Sequence, residues 1–121
     1  MSMFLAQEIL RNAVSIVKAA TEYSDSTKFR STTGYSCMKI VIGTTCSVVI
    51  TQQCSTNNVV WYDPIDISAT ALGTVGTFKT AGTYYVQFSP VMAPYIRFKL
   101  VEGDVAASAI TLELVYQEAS V

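Results

Sequence analysis

The fold is decided by residues 94–117, which read PYIRFKLVEGDVAASAITLELVYQ. Two runs of alternating apolar and polar residues stand on either side of a short acidic turn that contains Gly103 and Asp104. The apolar positions of these runs are Ile96, Phe98 and Leu100, then Ile110, Leu112, Leu114 and Tyr116. Alternation with a period of two around a turn predicts an antiparallel hairpin that packs one face on a core. Because a hairpin alone is marginal in water, we expect other strands to complete that core.

The rest of the chain supplies those strands. Turn signals recur along it, and the strand candidates between them are residues 12–18, 35–42, 46–53, 59–62, 65–70, 77–79 and 83–88. Gly43-Thr44-Thr45 is short enough to join two of them as a second hairpin. Many short strands separated by frequent turns are typical of sandwiches and jelly rolls. The sequence therefore predicts an all-β fold, an antiparallel β-sandwich or jelly roll of about eight strands with an N-terminal arm.

The N-terminal segment divides the chain into two predicted parts. Residues 1–11 carry Met3, Phe4, Leu5 and Ile9 and read as an arm or a short helix, whereas residues 12–121 form a single sandwich domain. The β-branched residues of 12–18 favour a strand there. An apolar arm on a small domain has two interpretations, because it can fold back on its own sheet or reach onto a neighbouring subunit.

Composition narrows the classes of partner. Only 14% of the 121 residues are charged, the net charge is −1, and 50% are apolar, against about 25% charged in typical soluble domains. Such a surface suits a protein that is packed against neighbours, and it also suits a plain Thr/Ser-rich sheet protein. We expect no nucleic-acid binding, since no basic stripe is present, and no membrane span, since no apolar run reaches about 18 residues. The N-terminus does not resemble a secretory signal, so we expect synthesis in the cytoplasm.

The cysteines and the acidic residues predict no metal site and no cofactor. Cys37, Cys46 and Cys54 are an odd number, which argues against a secreted disulfide framework. Cys46 alternates with Val48 and Ile50 and is predicted to pack as a small buried residue. There is no histidine and no close C-x-x-C pair for zinc. No run of carboxylates resembles a calcium loop.

Catalysis is not expected from these residues. Without histidine, the commonest general base and the usual partner of a serine or cysteine nucleophile are absent. Asp63 and Asp66 stand close together but flank Pro64, where turn capping explains them. Gly73-Thr-Val-Gly76 lacks the lysine and helix of a phosphate-binding loop. We therefore expect no enzyme and predict no catalytic residue.

Aromatic and basic side chains are the remaining candidates for contacts. Trp61-Tyr62 and Tyr84-Tyr85 place rings on both faces of their strands, where they either fill the core or stack on sugars or a protein partner. Arg97 and Lys99 project together from the polar face of the first run. Such a pair is either solvated, matched across strands to a carboxylate such as Glu113, or in contact with an acidic neighbour.

Two segments resemble a family. VVITQQCSTNNVVWYDP, residues 48–64, resembles the strand, polar turn and Trp-centred strand of small tailed-phage virion β-sandwiches, with Asn57-Asn58 in place of the usual Asp-Gly type of turn. GTYYVQFSPVMAPYIRFKLVEG, residues 82–103, followed by AITLELVYQ, resembles the later half of the same pattern. The resemblance covers roughly residues 35–117, although similar sandwiches also occur in carbohydrate-binding modules.

The resemblance implies a structural virion protein, and within that group a capsid decoration (cement) protein. Such a protein would bind the major capsid protein or other virion proteins at the capsid surface, as a homo-oligomer, by multivalent attachment. The predicted contact residues are Met3, Phe4, Leu5, Ile9, Arg97 and Lys99. The alternatives are a carbohydrate- or receptor-binding module of a fibre or spike, and a tail or neck component.

Overall fold

The computed structural model describes residues 3–119, with the side chains of residues 5–30 and 35–118. This part of the chain contains nine strands and no helix. The strands are β1 (Met3–Ile16), β2 (Thr21–Tyr23), β3 (Thr27–Lys28), β4 (Ser31–Ile42), β5 (Val48–Ser55), β6 (Thr74–Phe78), β7 (Gly82–Phe88), β8 (Tyr95–Glu102) and β9 (Ser108–Ala119). All of their pairings are antiparallel.

The strands form two sheets with the order of a jelly roll. The first sheet has the order β1-β9-β4-β7, and the second has the order β2-β8-β5-β6, with β3 also paired to β8. With β2 and β3 taken as one interrupted strand, the first strand pairs with the last, the second with the second-last, and so on inward. This is a double-stranded ribbon rolled up so that its two arms form two facing sheets. The predicted all-β sandwich or jelly roll is confirmed.

The predicted hairpin of residues 94–117 is wrong in its pairing. Both strands exist, as β8 and β9, but they lie in opposite sheets, and the turn between them crosses from one sheet to the other. The connection between β4 and β5 crosses in the same way, so Gly43-Thr44-Thr45 does not close a hairpin either. Alternation specifies which side chains enter the core, and two strands that face each other across a core show the same alternation as two neighbours in a sheet.

The N-terminal segment belongs to the first sheet. β1 pairs with β9 from Met3 opposite Ala119 to Ile16 opposite Ser108, so residues 3–11 fold back on the chain's own sheet. The register shifts on both sides of Arg11. This irregularity turns Arg11 inward, where it is 6% exposed and its guanidinium donates to Glu22 and to the Val14 carbonyl oxygen, both at 2.9 Å. The contact with Glu22 ties β1 to β2 of the other sheet.

The core lies between the sheets and uses the predicted alternating residues. Its fully buried members come from both sides and include Met38, Ile40, Ile110, Leu112, Leu114, Ile50, Ile96, Phe98 and Leu100. Burying one such side chain contributes about 1.5–3 kcal/mol. Phe88 of β7 meets Phe98 of β8 edge-on across the core, with 5.8 Å between ring centroids.

Glu102 holds together the end of the sandwich where the chain crosses between sheets. Glu102 is 2% exposed. Its carboxylate accepts hydrogen bonds from the backbone N–H groups of Ala19, Ser47 and Val105, each at 3.0 Å. These donors lie in three different connections. The hydrogen bond from Ala19, with those from Ser47 and Val105, lowers the pKa of Glu102 from 4.5 to about 2, although burial acts in the opposite direction.

Candidate contact surfaces

Residues 56–73 form a long loop that crosses the outer face of the second sheet. The strands predicted at 59–62 and 65–70 appear only as two isolated bridges, Cys54 with Tyr62 and Ile65 with Ala71. Backbone hydrogen bonds nevertheless order the loop. Leu72 N–H donates to the Pro64 carbonyl oxygen at 3.0 Å within the loop, and Gln52 N–H of β5 donates to the Gly73 carbonyl oxygen at 2.7 Å. A Cβ at Gly73 would come within 2.7 Å of the Gln52 oxygen, so this approach requires glycine.

Arg97 fixes the middle of this loop to the sheet. Its guanidinium carbon lies 4.1 Å from the centroid of the Tyr23 ring and 4.5 Å from that of Trp61, so the group is stacked between two aromatic rings. Its Nε donates to Gln53 Oε1 at 2.8 Å, and Gln53 Nε2 donates to Asp63 Oδ1 at 2.9 Å. We call this group of five residues the arginine clamp. It joins β2, β5 and β8 to the loop.

The clamp changes the interpretation of the predicted Arg97–Lys99 pair. Arg97 is half-buried and occupied by contacts within the chain. Lys99 lines a cavity of about 180 Å³ together with Pro64 and Gly73. A contact of either residue with another protein stays a prediction.

The loop presents apolar side chains to solvent. Seven large apolar residues are exposed on the loop and on the neighbouring β7–β8 connection, and we call them the apolar loop surface: Val59, Val60, Tyr62, Ile65, Ile67, Leu72 and Met92. Ile67 has a relative exposure of 105%, so its side chain makes essentially no contact within the chain. The only charged residues between positions 56 and 73 are Asp63 and Asp66. Groups of exposed large apolar residues on one segment are typical of interaction sites.

The turn that carries Ile67 is ordered by its own hydrogen bonds. Asp66 Oδ1 accepts the N–H groups of Ser68 at 2.8 Å and Thr70 at 2.9 Å. The Asp66 carbonyl oxygen accepts Ala69 N–H at 3.0 Å, with Ala69 in the left-handed region at φ 63°. Asx turns of this kind hold the backbone in one conformation. Ile67 is therefore presented in a defined position.

A second exposed apolar surface lies on the opposite side of the sandwich, on the outer face of the first sheet. Its most exposed large residues are Leu5, Ile9, Tyr35 and Tyr85, with relative exposures of 69%, 55%, 63% and 64%. Val115 also points outward but is only 8% exposed, because it lies in a groove of about 190 Å³ lined by Leu5, Tyr35 and Tyr85. The predicted contact residues Leu5 and Ile9 thus lie on a shared face, whereas the side chains of Met3 and Phe4 lie outside the described part.

Comparison with known proteins finds a likeness of fold only. No protein-family model and no curated protein matches the chain. A chain in the structure of infectious bursal disease virus, Gx strain, has a similar fold, with a TM-score of 0.54 over 96% of this chain and 9% sequence identity. The present chain covers 32% of that chain, about a third of its length. At this identity the similarity shows a shared fold and no more.

The aromatic residues divide between core and surface. Trp61 is stacked on Arg97. Tyr84 points inward, packs on Phe78 with 5.3 Å between centroids, and donates its hydroxyl to the Thr80 carbonyl oxygen at 2.6 Å. Of the four predicted rings, Tyr62 and Tyr85 are exposed, so a stacking platform built from these four would use those two. Tyr35 was not among the predicted contact residues, because one aromatic residue before a strand carries no signal of its exposure.

Several ionisable groups lie around a cavity at one end of the sandwich. A cavity of about 370 Å³ is lined by Glu8, Glu118, Arg30 and Tyr116. Glu8 accepts a hydrogen bond from the Thr27 hydroxyl, and Glu118 lies 3.6 Å from Arg30. Burial, followed by the charges of Glu8 and Glu118, raises the pKa of Tyr116. The two carboxylates close one end of the sandwich, where β1 and β9 meet β3.

Among the described residues, no group of three or more His, Cys, Asp or Glu side chains could hold a metal ion. Within the same range, no helix could cross a membrane. The three cysteines are free thiols, and Cys46 is buried as predicted, with burial raising its pKa.

Proposed function

We propose that this protein is a structural component of a virus particle, and within that class a decoration protein that binds an assembled capsid. The observation that carries the proposal is the apolar loop surface, which the arginine clamp and the Asp66 turn hold in a fixed conformation. Exposed apolar surface lowers the solubility of a protein, and a binding partner that covers this surface accounts for its presence. Because the conformation exists before binding, little ordering entropy is lost on contact.

Two further features support the proposal. The similar fold in a chain of a virus structure agrees in kind with the resemblance of residues 48–64 and 82–117 to phage virion sandwiches. In addition, the two apolar surfaces lie on opposite faces of the sandwich, so one subunit has contact surfaces on two sides. A subunit of this type can bridge neighbours, and many modest contacts on a capsid sum to stable attachment. Tailed-phage origin, location on the capsid surface and synthesis in the host cytoplasm are parts of the proposal.

The test uses purified capsids that lack this protein and the variant Ile67→Ser. Because Ile67 makes no contacts in the folded chain, its replacement should leave stability within about 0.5 kcal/mol of wild type. Burying an isoleucine in an interface contributes about 1.5–3 kcal/mol, so the affinity of each subunit for the capsid should fall roughly 10- to 150-fold. Val17→Ser is the matched control, since Val17 is 59% exposed on the β1–β2 connection, away from the loop.

The outcomes distinguish whether the protein binds capsids, which surface it uses and where in the particle it lies. If wild-type protein neither binds such capsids nor raises their resistance to heat, decoration is wrong. If wild type and Ile67→Ser bind equally well, the capsid is bound by another surface. A high copy number in purified virions favours decoration, whereas a small ring or a handful of copies favours a neck component or a spike.

A further inference from the structure

The strand register places an unusual row of residues across the outer face of the first sheet. Ile9 of β1 is paired with Glu113 of β9, Glu113 with Lys39 of β4, and Lys39 with Tyr85 of β7. The row therefore reads apolar, acidic, basic, apolar from one edge of the sheet to the other. Among the described side chains of β1, β4, β7 and β9, Glu113 and Lys39 are the charged residues of this face, and their other partners in the row, Ile9 and Tyr85, are uncharged.

We propose that this face binds the same face of a second copy of the chain, around a two-fold axis that runs parallel to the strands between β9 and β4. Rotation about that axis reverses the strand order, so that β1 lies over β7 and β9 lies over β4 of the second copy. Glu113 then faces Lys39 of the second copy, and Ile9 faces its Tyr85, twice in each dimer. The interface is isologous, which closes the assembly at two subunits.

The adjacent row has the same inverted symmetry. It contains Gln7, Val115, Cys37 and Gln87, in that order across the sheet. After the rotation Gln7 lies over Gln87 of the second copy, where two amides can exchange hydrogen bonds, and Val115 lies over Cys37. In both rows, each residue therefore meets a complementary residue when the row is laid over its own reversed copy. A face that binds an unrelated partner does not need this self-complementarity.

The position of the axis follows from the charges. An axis perpendicular to the strands would place Lys39 over Lys39 and Glu113 over Glu113 of the second copy, and like charges at this distance are repulsive. Only the parallel axis joins opposite charges. It also packs the two sheets with their strands aligned, the usual arrangement of facing sheets about 10 Å apart. The exposed rings and aliphatic groups of Leu5, Ile9, Tyr35 and Tyr85 fill that gap.

A competing explanation is that Glu113 and Lys39 are only a cross-strand pair within one chain. That explanation predicts no effect on association. The inference deepens the proposed function, because it assigns a partner to one of the two contact surfaces, and it rests on the proposal that the protein works through contacts. Self-association is nevertheless measured on the pure protein, without capsids, so each proposal can fail alone.

The test is sedimentation velocity over a concentration series with the full-length chain. Wild type should associate to dimers, and Lys39→Glu and Glu113→Lys should each weaken the dimer at least about 100-fold, because each creates two like-charge contacts. An equimolar mixture of the two variants should dimerise again, since every contact in the mixed dimer joins opposite charges. The double variant Lys39→Glu/Glu113→Lys should also dimerise. Lys99→Glu, on the outer face of the other sheet, is the control and should behave as wild type.

Three results would overturn the inference: a wild type that stays monomeric throughout, single variants that associate as wild type does, or a mixture that does not recover dimers. Tyr85→Ser provides a second route if a charge variant fails to fold, because Tyr85 is 64% exposed and its loss should weaken the dimer without changing secondary structure by circular dichroism. A dimer unaffected by Tyr85→Ser would count against this face. If dimers form but capsids are not bound, the decoration proposal fails and the dimer remains.

Discussion

Replacing Arg97 with alanine should release residues 56–73 from the second sheet. The substitution removes both ring contacts, with Tyr23 at 4.1 Å and Trp61 at 4.5 Å. It also removes the hydrogen bond from Arg97 Nε to Gln53 Oε1, and it leaves the Gln53–Asp63 bond as the remaining contact of the clamp with the loop. The loop would keep its two bridges, Tyr62 with Cys54 and Ile65 with Ala71, but would lose the stacking contact that holds Trp61 on the sheet.

The size of the effect can be worked out from these contacts. Two cation–π contacts of a half-buried guanidinium contribute about 0.5–1 kcal/mol each. A hydrogen bond from a charged donor contributes about 1.5–3 kcal/mol. Because the contacts share one side chain, they overlap, and we expect a loss of about 2–4 kcal/mol in the free energy of unfolding. For a domain of this length that corresponds to a fall in Tm of roughly 8–16 °C.

Trp61 makes the experiment specific, since it is the single tryptophan of the chain. Its fluorescence reports on the loop, whereas thermal unfolding followed by circular dichroism reports on the sandwich. Arg97→Ala should shift the emission to longer wavelength and make Trp61 more accessible to acrylamide. Arg97→Lys should be intermediate, because it keeps the charge but loses the planar stacking and the fork geometry. Lys99→Ala, two residues along the same strand, is the matched control and should leave the emission unchanged.

The contrary result is an Arg97→Ala variant with the emission, the quenching and the Tm of wild type. In that case the loop is held by its backbone bonds alone, and the clamp contributes nothing measurable. A fall in Tm without any change at Trp61 would show instead that Arg97 stabilises the sheet and not the loop.

The remaining predictions concern the buried carboxylate of Glu102 and the N-terminal part of β1. Glu102 is charged in the folded state down to about pH 2, so its contribution should be complete above pH 4.5 and lost as the pH falls toward 2. Glu102→Gln should therefore lower the Tm at pH 7 and flatten the acid dependence of the Tm between these limits; an unchanged acid profile would contradict the role of the carboxylate. Deleting residues 1–11 should unfold the monomer, because it removes the buried Leu10 and Arg11 and uncovers an edge of β9. If the truncated chain keeps the full Tm, residues 1–11 are an arm that does not contribute to the stability of the domain.

Some of the candidate surfaces could be predicted from the sequence. Leu5 and Ile9 were predicted as contact residues of an apolar N-terminal arm; both are exposed on β1, and their contact with another protein stays a prediction. Ile67 and Val59 were missed because β-branched residues near a proline resemble short strands. In the structure, Asn57 and Asp66 cap turns within the loop, and Arg97 holds Trp61 against the sheet. The contact between Arg97 and Trp61 joins residues far apart in the chain, so it leaves no local pattern in the sequence.

The class of fold and the direction of most strand side chains follow from the sequence alone. The residues of β8 and β9 that alternate as apolar have relative exposures of 4% or less, because a side-chain period of two is a property of any extended strand. That period carries no information about pairing, since backbone N–H and C=O groups are the same at every residue.

Which strands are neighbours depends on the packing of the whole chain, and that packing places β8 and β9 in opposite sheets. It also brought Ala19, Ser47 and Val105 to one carboxylate, at separations of 83, 55 and 3 residues from Glu102. The row of Ile9, Glu113, Lys39 and Tyr85 has the same origin. Four residues from four strands become a surface only when the packing of the whole core has fixed their order and register.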